Sequence, residues 1–413
     1  MKSDHFKTAS HNCSVKEGFD CGENSIFVIQ IHRHMDRRKF LALSAASVAA
    51  ATVDSMLPAA GCKMNKCTGR MVGEEYNVII LGDTHFDTEP ASVYHSDYYE
   101  KEEWLNRVQR AEFARNGEMW RERCPRMMDR AARLVDKDTR MYFQMGDLIQ
   151  GDCGNPEVHR KMLENVLDSF KGTLGGLPFV TVVGNHDIRG MLAEEAYHEY
   201  MPERMSHELG KKIQKTTFAF TIGPDAYIVL DFNSPDPEEV ERLLKGTEGA
   251  RYTFVIVHGP LLPYDGRDCR WFFYGNAKYD GQRRHFRELF ARRDVICLCG
   301  HTHTIELADW FGDGGRITQM TMNSVWSKDS LAQLEVLAHG APEYGTLRRS
   351  SKNADGTSIK DETPLFDEYR PGLKRYMRAK GAGSFKMSVS GHGVTIDFYG
   401  GDSETVTESF VLR

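Results

Sequence analysis

Five short polar segments hold the residues of this chain that could do chemistry. They are Gly82–Asp83–Thr84–His85, Gly146–Asp147, Gly184–Asn185–His186–Asp187, His258–Gly259 and Gly300–His301–Thr302–His303. Together they collect Asp83, His85, Asp147, Asn185, His186, His258, His301 and His303, and with them five of the sixteen histidines. Mixed imidazole and carboxylate donors suit Mn, Fe or Zn, whereas Ca and Mg prefer all-oxygen shells. The donors outnumber what one tetrahedral zinc takes. Two ions sharing one carboxylate fit the count.

Each segment follows an apolar run: NVIIL (77–81), MYFQM (141–145), PFVTVV (178–183), FVIV (254–257) and VICLC (295–299). Short runs of this kind read as strands buried on both faces. A Gly within two residues of each run permits a sharp turn and close backbone approach. The donors therefore sit at the carboxyl ends of strands, where α/β sheets place their sites. Helical spacing over 157–170, 237–245 and 281–292 separates the strands, with Asp236–Pro237 as the cap and first turn of the second helix. Residues 98–136 read as one or two charged helices, broken near Pro125. Further strands without polar tips are expected at 217–222, 226–232, 316–322, 385–390 and 394–399. The polar, turn-rich stretch 345–363 reads as a loop, within a polar insertion near 340–380.

In this order, Asp83-x-His85, Gly146-Asp147, Gly184-Asn185-His186-Asp187, His258 and Gly300-His301-x-His303 resemble the motifs of the calcineurin-like metallophosphoesterase family. The resemblance spans residues 82–303, over half the chain. It implies an α/β fold, a four-layer αββα sandwich of two mixed β-sheets flanked by helices. It also implies two metal ions. By motif, Asp83, His85 and His303 would hold the first, Asn185, His258 and His301 the second, and Asp147 would bridge them. Such a pair clamps phosphate oxygens and activates water for in-line displacement. His186 is not a ligand in the family; it would protonate or stabilise the leaving oxygen. At the position three after the bridging Asp, some members carry an Asp that orients this His, and purple acid phosphatases carry an iron-ligating Tyr. Here it is Gln150, uncharged, which argues against a purple phosphatase; Gln150 is the expected partner of His186, with Asp152 as an alternative that reads equally well as a solvated surface residue. Arg189, just past this motif, is a candidate phosphate contact. Asp87 lies outside the family motif and reads as a turn residue.

Composition is compatible with this reading. The chain has 413 residues, 40% hydrophobic and 27% charged, enough for a large core. A net charge of −6 gives no basic excess for binding nucleic acid. From Met35 to Cys62 the sequence reads as an export signal: Arg37–Arg38, an Ala-rich apolar stretch, then AAGC at 59–62. RRKFL resembles a twin-arginine signal, and AAGC resembles a lipoprotein box with Cys62 as the lipidated residue. Residues 1–34 read as an extension upstream of a start at Met35, and 76–413 as the phosphoesterase domain. The protein is thus expected in the bacterial periplasm or cell envelope. Of nine cysteines, Cys297 and Cys299 alternate within a buried strand and read as core thiols. WFFY (271–274) could line a cleft or stack a base. The expected function is hydrolysis of phosphodiesters or nucleotide-like esters. A phosphomonoesterase is the alternative, and a non-catalytic metal-binding protein of the same fold a weaker one.

Overall fold

The computed structural model describes residues 75–94, 103–153, 155–233, 235–265, 277–324, 333–349 and 361–413. The expected extension and export signal, Cys62 and the WFFY run lie outside the described residues.

The strands, in chain order, are β1 (Tyr76–Leu81), β2 (Thr139–Gln144), β3 (Phe179–Thr181), β4 (Phe218–Ile222), β5 (Asp225–Val229), β6 (Thr253–Ile256), β7 (Val295–Cys299), β8 (Ile305–Gly312), β9 (Gly315–Thr321), β10 (Glu335–His339), β11 (Leu373–Lys380), β12 (Gly383–Ser390), β13 (Gly393–Gly400) and β14 (Glu408–Val411). The main helices are α1 (Glu103–Arg133), α2 (Pro156–Leu174), α3 (Ala193–Leu209), α4 (Pro237–Lys245), α5 (Asp280–Arg292) and α6 (Thr363–Tyr369).

Among the described residues the strands form two mixed sheets, of six in the order β14-β13-β12-β1-β2-β3 and of eight in the order β10-β11-β8-β9-β7-β6-β5-β4. β1, β2 and β3 are parallel in the first, as are β5, β6, β7 and β9 in the second. α1 packs on β1 and β12, and α5 on β7, β8 and β9, so helices cover both sheets. Apolar side chains fill the space between the sheets. Phe143 of β2 meets Tyr227 of β5 at 5.3 Å between ring centroids, and Tyr227 stacks on Phe254 of β6 at 4.6 Å. At the amino ends of β1 and β5 the Tyr76 hydroxyl donates to Asp225, whose carboxylate is also gripped by Arg251 Nε at 3.0 Å and Nη2 at 2.6 Å.

Local signals set the helix ends. Asn155 accepts hydrogen bonds from the Glu157 and Val158 N–H groups at the start of α2, and Asp236 does the same for Glu238 and Glu239 in α4. Each helix has Pro at its first position, where the missing N–H is harmless.

Two expectations need correction. α1 runs unbroken through Pro125 over 31 residues. Buried residues of the core, Cys124 before the proline and Met127, Met128 and Ala131 after it, hold the helix on the sheet on both sides. That packing outweighs the hydrogen bond Pro125 removes. The stretch near 340–380 is not simply an inserted loop, because Leu373–Lys380 is a strand inside the larger sheet, paired to both β8 and β10. Its charges hid it. Arg375 and Arg378 lie across the ladder from Asp309 and Glu306, so the charges cancel between neighbouring strands.

Candidate metal centre

The carboxyl ends of β1, β2 and β3 in one sheet and of β6 and β7 in the other meet, and the turns after them are sharp. His85, Asp147, His301 and His303 all hold left-handed backbone, with φ of 42°, 51°, 70° and 49°. Such conformations cost a non-glycine residue of order 1–3 kcal/mol and gather at functional sites. Glycines allow the approach: a Cβ on Gly146 would lie 2.6 Å from His258 Nδ1, and one on Gly300 would lie 2.7 Å from the Met145 carbonyl. Gln144, the last residue of β2, braces the turn before Asp147. Its side chain accepts from Gly146 N at 3.0 Å and donates to Gly146 O at 2.7 Å.

Donor atoms converge in two groups that share one carboxylate. Asp83, His85, Asp147 and His303 form the first, and Asp147, His258 and His301 the second, with the ligand atoms of each group within 4.8 Å of one another. In the first, His85 Nε2 lies 3.0 Å from His303 Nε2 and 3.5 Å from Asp147 Oδ2, and His303 Nε2 lies 3.1 Å from Asp83 Oδ2. In the second, His258 Nε2 is 3.3 Å from Asp147 Oδ2, and Asn185 Oδ1 lies 3.1 Å from His258 Nε2 and 3.0 Å from His301 Nδ1. The two carboxylates and the Asn185 oxygen only accept. With the imidazole nitrogens they bring lone pairs together at two places, and this donor set fits a pair of cations.

Backbone groups fix several of these side chains. Asp83 accepts from the His301 N–H at 2.9 and 3.0 Å, and Asp147 Oδ1 accepts from the His186 N–H at 2.7 Å. The His258 ring bonds through Nδ1 to the Met145 carbonyl at 2.8 Å. Asp187 accepts from Gly184 N and Ile149 N and so ties the loop bearing Asn185 to the end of β2.

The electrostatics are those of a crowded, dry site. Burial pushes the Asp147 carboxyl up, but His258, His186 and His85 outweigh it and hold Asp147 well below the usual carboxylate range. Burial works against charge on His258 too, yet Asp147 and Asp83 raise it to about 9. Burial, then neighbouring histidine charge, drives His85 and His301 well below the ordinary imidazole value. Burial, then Arg189, brings His186 down to about 3. Asp187 rises to about 7 through burial and then the nearby Asp147.

Among the residues expected outside the ligand set, His186 stands beside the first group, edge-on to His85 at 4.4 Å between ring centroids. Its Nδ1 bonds to the backbone carbonyl of Gln150 at 2.6 Å, and its Nε2 is buried with no hydrogen-bond partner among the described residues. The Gln150 side chain is therefore not the group that orients His186: both its amide atoms are buried without a partner among the described residues. Arg189 pairs with Asp152, which is buried, so it does not extend freely toward a phosphate. Asp87 is fully buried, and burial above all pushes its carboxyl well above the usual range. Cys297 and Cys299 are buried in β7, and burial raises the Cys297 thiol to about 12. Sequence reasoning missed Gln144, Asp187 as a brace, and Trp120, whose ring lies 4.5 Å from that of His85. A buried Gln ending an apolar strand was the available signal for the first; nothing in the charged run before Pro125 marked the last.

Residues 76–304 match the family model described as calcineurin-like phosphoesterase, more than half of the chain. Similar solved structures include PhoD, at 12% identity over 82% of this chain and 69% of that one, with a TM-score of 0.47. GAP50, the anchor in the inner membrane complex of Plasmodium, is similar at 12% identity over 82% of this chain and 89% of its own, with a TM-score of 0.44. A 5′-nucleotidase precursor from Thermus thermophilus matches at 12% identity over 60% of this chain and 48% of its own, with a TM-score of 0.29. No curated protein matches the sequence.

Proposed function

The chain belongs to the calcineurin-like phosphoesterase family, and from that membership we propose that it is an exported dimetal hydrolase cleaving phosphodiesters or nucleotide-like phosphate esters. The observation that carries the dimetal reading is the position of Asp147, whose Oδ2 lies 3.5 Å from His85 Nε2 and 3.3 Å from His258 Nε2. One carboxylate thus serves both groups of donors. Asp83, His85 and His303 would hold one ion, Asn185, His258 and His301 the other, and Asp147 would be shared by both. Mn, Fe or Zn suits this donor set. Such ions would supply Lewis acidity and an activated water for attack on the phosphoryl group.

The remaining work falls to the chain. The Nδ1–H of His186 donates to the Gln150 carbonyl, which fixes the ring and leaves Nε2 for the substrate. Burial, then Arg189, disfavour a proton on His186 Nε2 in the free protein, and the negative charge of an arriving phosphate would oppose that. A proton taken up from water on Nε2 could then pass to the leaving oxygen. Export is supported by Arg37–Arg38, the apolar stretch and AAGC, with cleavage before Cys62 and a lipid anchor on that cysteine.

The test has two arms. The mature protein, reconstituted with Mn²⁺ or Zn²⁺, should hold close to two ions per chain and turn over a panel of diesters. A tight stoichiometry of one sinks the shared-carboxylate reading, and turnover of monoesters alone reassigns the substrate. Fractionation of the expressing bacterium should find the processed form in the envelope; an uncleaved cytoplasmic protein would contradict export, and anchoring that survives Cys62→Ser would remove the lipid.

A further inference from the structure

The histidines around this site are not all held in the same way. His258 and His186 each use Nδ1 to grip a backbone carbonyl, at 2.8 Å and 2.6 Å. A metal-ligating histidine normally fixes its ring through such a bond. His85 has none: its Nδ1 is buried and without a hydrogen-bond partner among the described residues. What touches the ring instead is aromatic. Trp120 of α1 lies over it with centroids 4.5 Å apart and planes 30° from parallel, while His186 and His303 meet it edge-on at 4.4 and 5.0 Å.

We infer that Trp120 is a positioning residue of the first metal site, its stacked ring setting the orientation of His85 in place of a hydrogen bond. Three features support this. First, Trp120 is buried, and it stands on α1 four residues before Cys124, which with Met127, Met128 and Ala131 belongs to the core beneath that helix. The indole is thus carried by an element anchored in the core. Second, His85 sits in a turn with φ of 42°, a strained backbone that surrounding contacts must hold. Third, the indole N–H is buried with no partner among the described residues, so no hydrogen bond of its own accounts for the placement of Trp120.

The inference rests on the dimetal reading, and Mn²⁺ binding measured by electron paramagnetic resonance on the whole chain separates the two. Wild type should bind two ions. Trp120→Leu should weaken one site about 10–100-fold, the range for removing an outer partner of a ligand, and leave the other unchanged. Trp120→Phe keeps a stacking ring and should stay within about threefold of wild type at both sites. A wild-type stoichiometry of one overturns the dimetal reading and this inference with it. Two unaltered sites in Trp120→Leu, or equal weakening in Trp120→Phe and Trp120→Leu, overturns the stacking role alone. Should Trp120→Leu fail to fold, Co²⁺ titration of wild type and Trp120→Phe decides. Wild type should show a component of indole emission quenched by the ion that is missing in Trp120→Phe, and its absence from wild type refutes the contact.

Discussion

Gly146 offers the sharpest test of how the second ligand group is built. A Cβ there would stand 2.6 Å from His258 Nδ1, 2.8 Å from Cγ and 2.9 Å from Cβ. Nonbonded carbon contacts are most favourable at about 3.5–4.0 Å, so Gly146→Ala asks for roughly 1 Å of movement. His258 cannot easily give it: Nδ1 is bonded to the Met145 carbonyl at 2.8 Å and Nε2 lies 3.1 Å from Asn185 Oδ1. A misplacement of about 1 Å can cost ~10²-fold in rate, or about 2.7 kcal/mol of transition-state stabilisation. The substitution also suffers the left-handed backbone, φ +86°, a penalty of about 1–2 kcal/mol for an L residue. Gly175→Ala separates the two effects, because Gly175 has φ +79° and nothing within 4 Å of the added methyl. Mn²⁺ titration, diester turnover and thermal unfolding should be run on both variants. Gly146→Ala should lose affinity at one site, keep the other and drop about 100-fold in kcat/KM; Gly175→Ala should lose only stability. If Gly146→Ala retains two ions at wild-type affinity and full turnover, His258 is not where a metal is held.

Asp147→Asn should weaken both ions together in the same titration, since it removes the charge shared by the two groups. His186→Ala should lower kcat ~10²–10⁴-fold with metal content intact, and the loss should shrink for nitrophenyl esters, whose leaving groups need no proton; equal losses for all leaving groups would remove the acid role. Gln150→Ala should cost far less than His186→Ala, because the backbone carbonyl and not the amide meets His186; equal losses would put the side chain in the site after all. Arg251→Ala, at the far end of the sheets, leaves Asp225 buried and without its bidentate partner. It should cost about 3–5 kcal/mol in denaturant unfolding while Mn²⁺ affinity stays within about twofold.

Much of this site could be read in the sequence because its grammar is local. An apolar strand, a glycine and a donor lie within a few residues of one another, and the pleat and turn at each strand end do the rest. What could not be read depends on direction or distance. Gln150 was the expected partner of His186 by position, but Gly151 and Asp152 both take left-handed φ, 71° and 62°, and the chain there presents a carbonyl to the ring. β8 and β11 were hidden because alternation fails when charged residues are buried in pairs. Arg378 and Glu306 are both buried, with Arg378 Nη1 3.3 Å from Glu306 Oε2. Hydropathy sees charges inside both segments, whereas in the sheet Arg375 and Arg378 stand opposite Asp309 and Glu306.

Trp120 marks the other limit. It lies 35 residues after His85, in a helix whose sequence reads as charged, and neither its spacing nor its neighbours announce a site. Donor atoms must carry lone pairs on nitrogen or oxygen and come from a few residue types, so they leave a signature in the sequence. The groups that aim them need only be the right shape in the right place: a carbonyl for His258 and His186, an indole for His85, the absence of a side chain at Gly146. Such roles are open to many residues, and their identity is set by the packing of α1 and the strand tips. The candidate donors can thus be picked out from the chain alone, but what holds each ring at its angle appears only when the two sheets and the helix covering the first have been assembled around them.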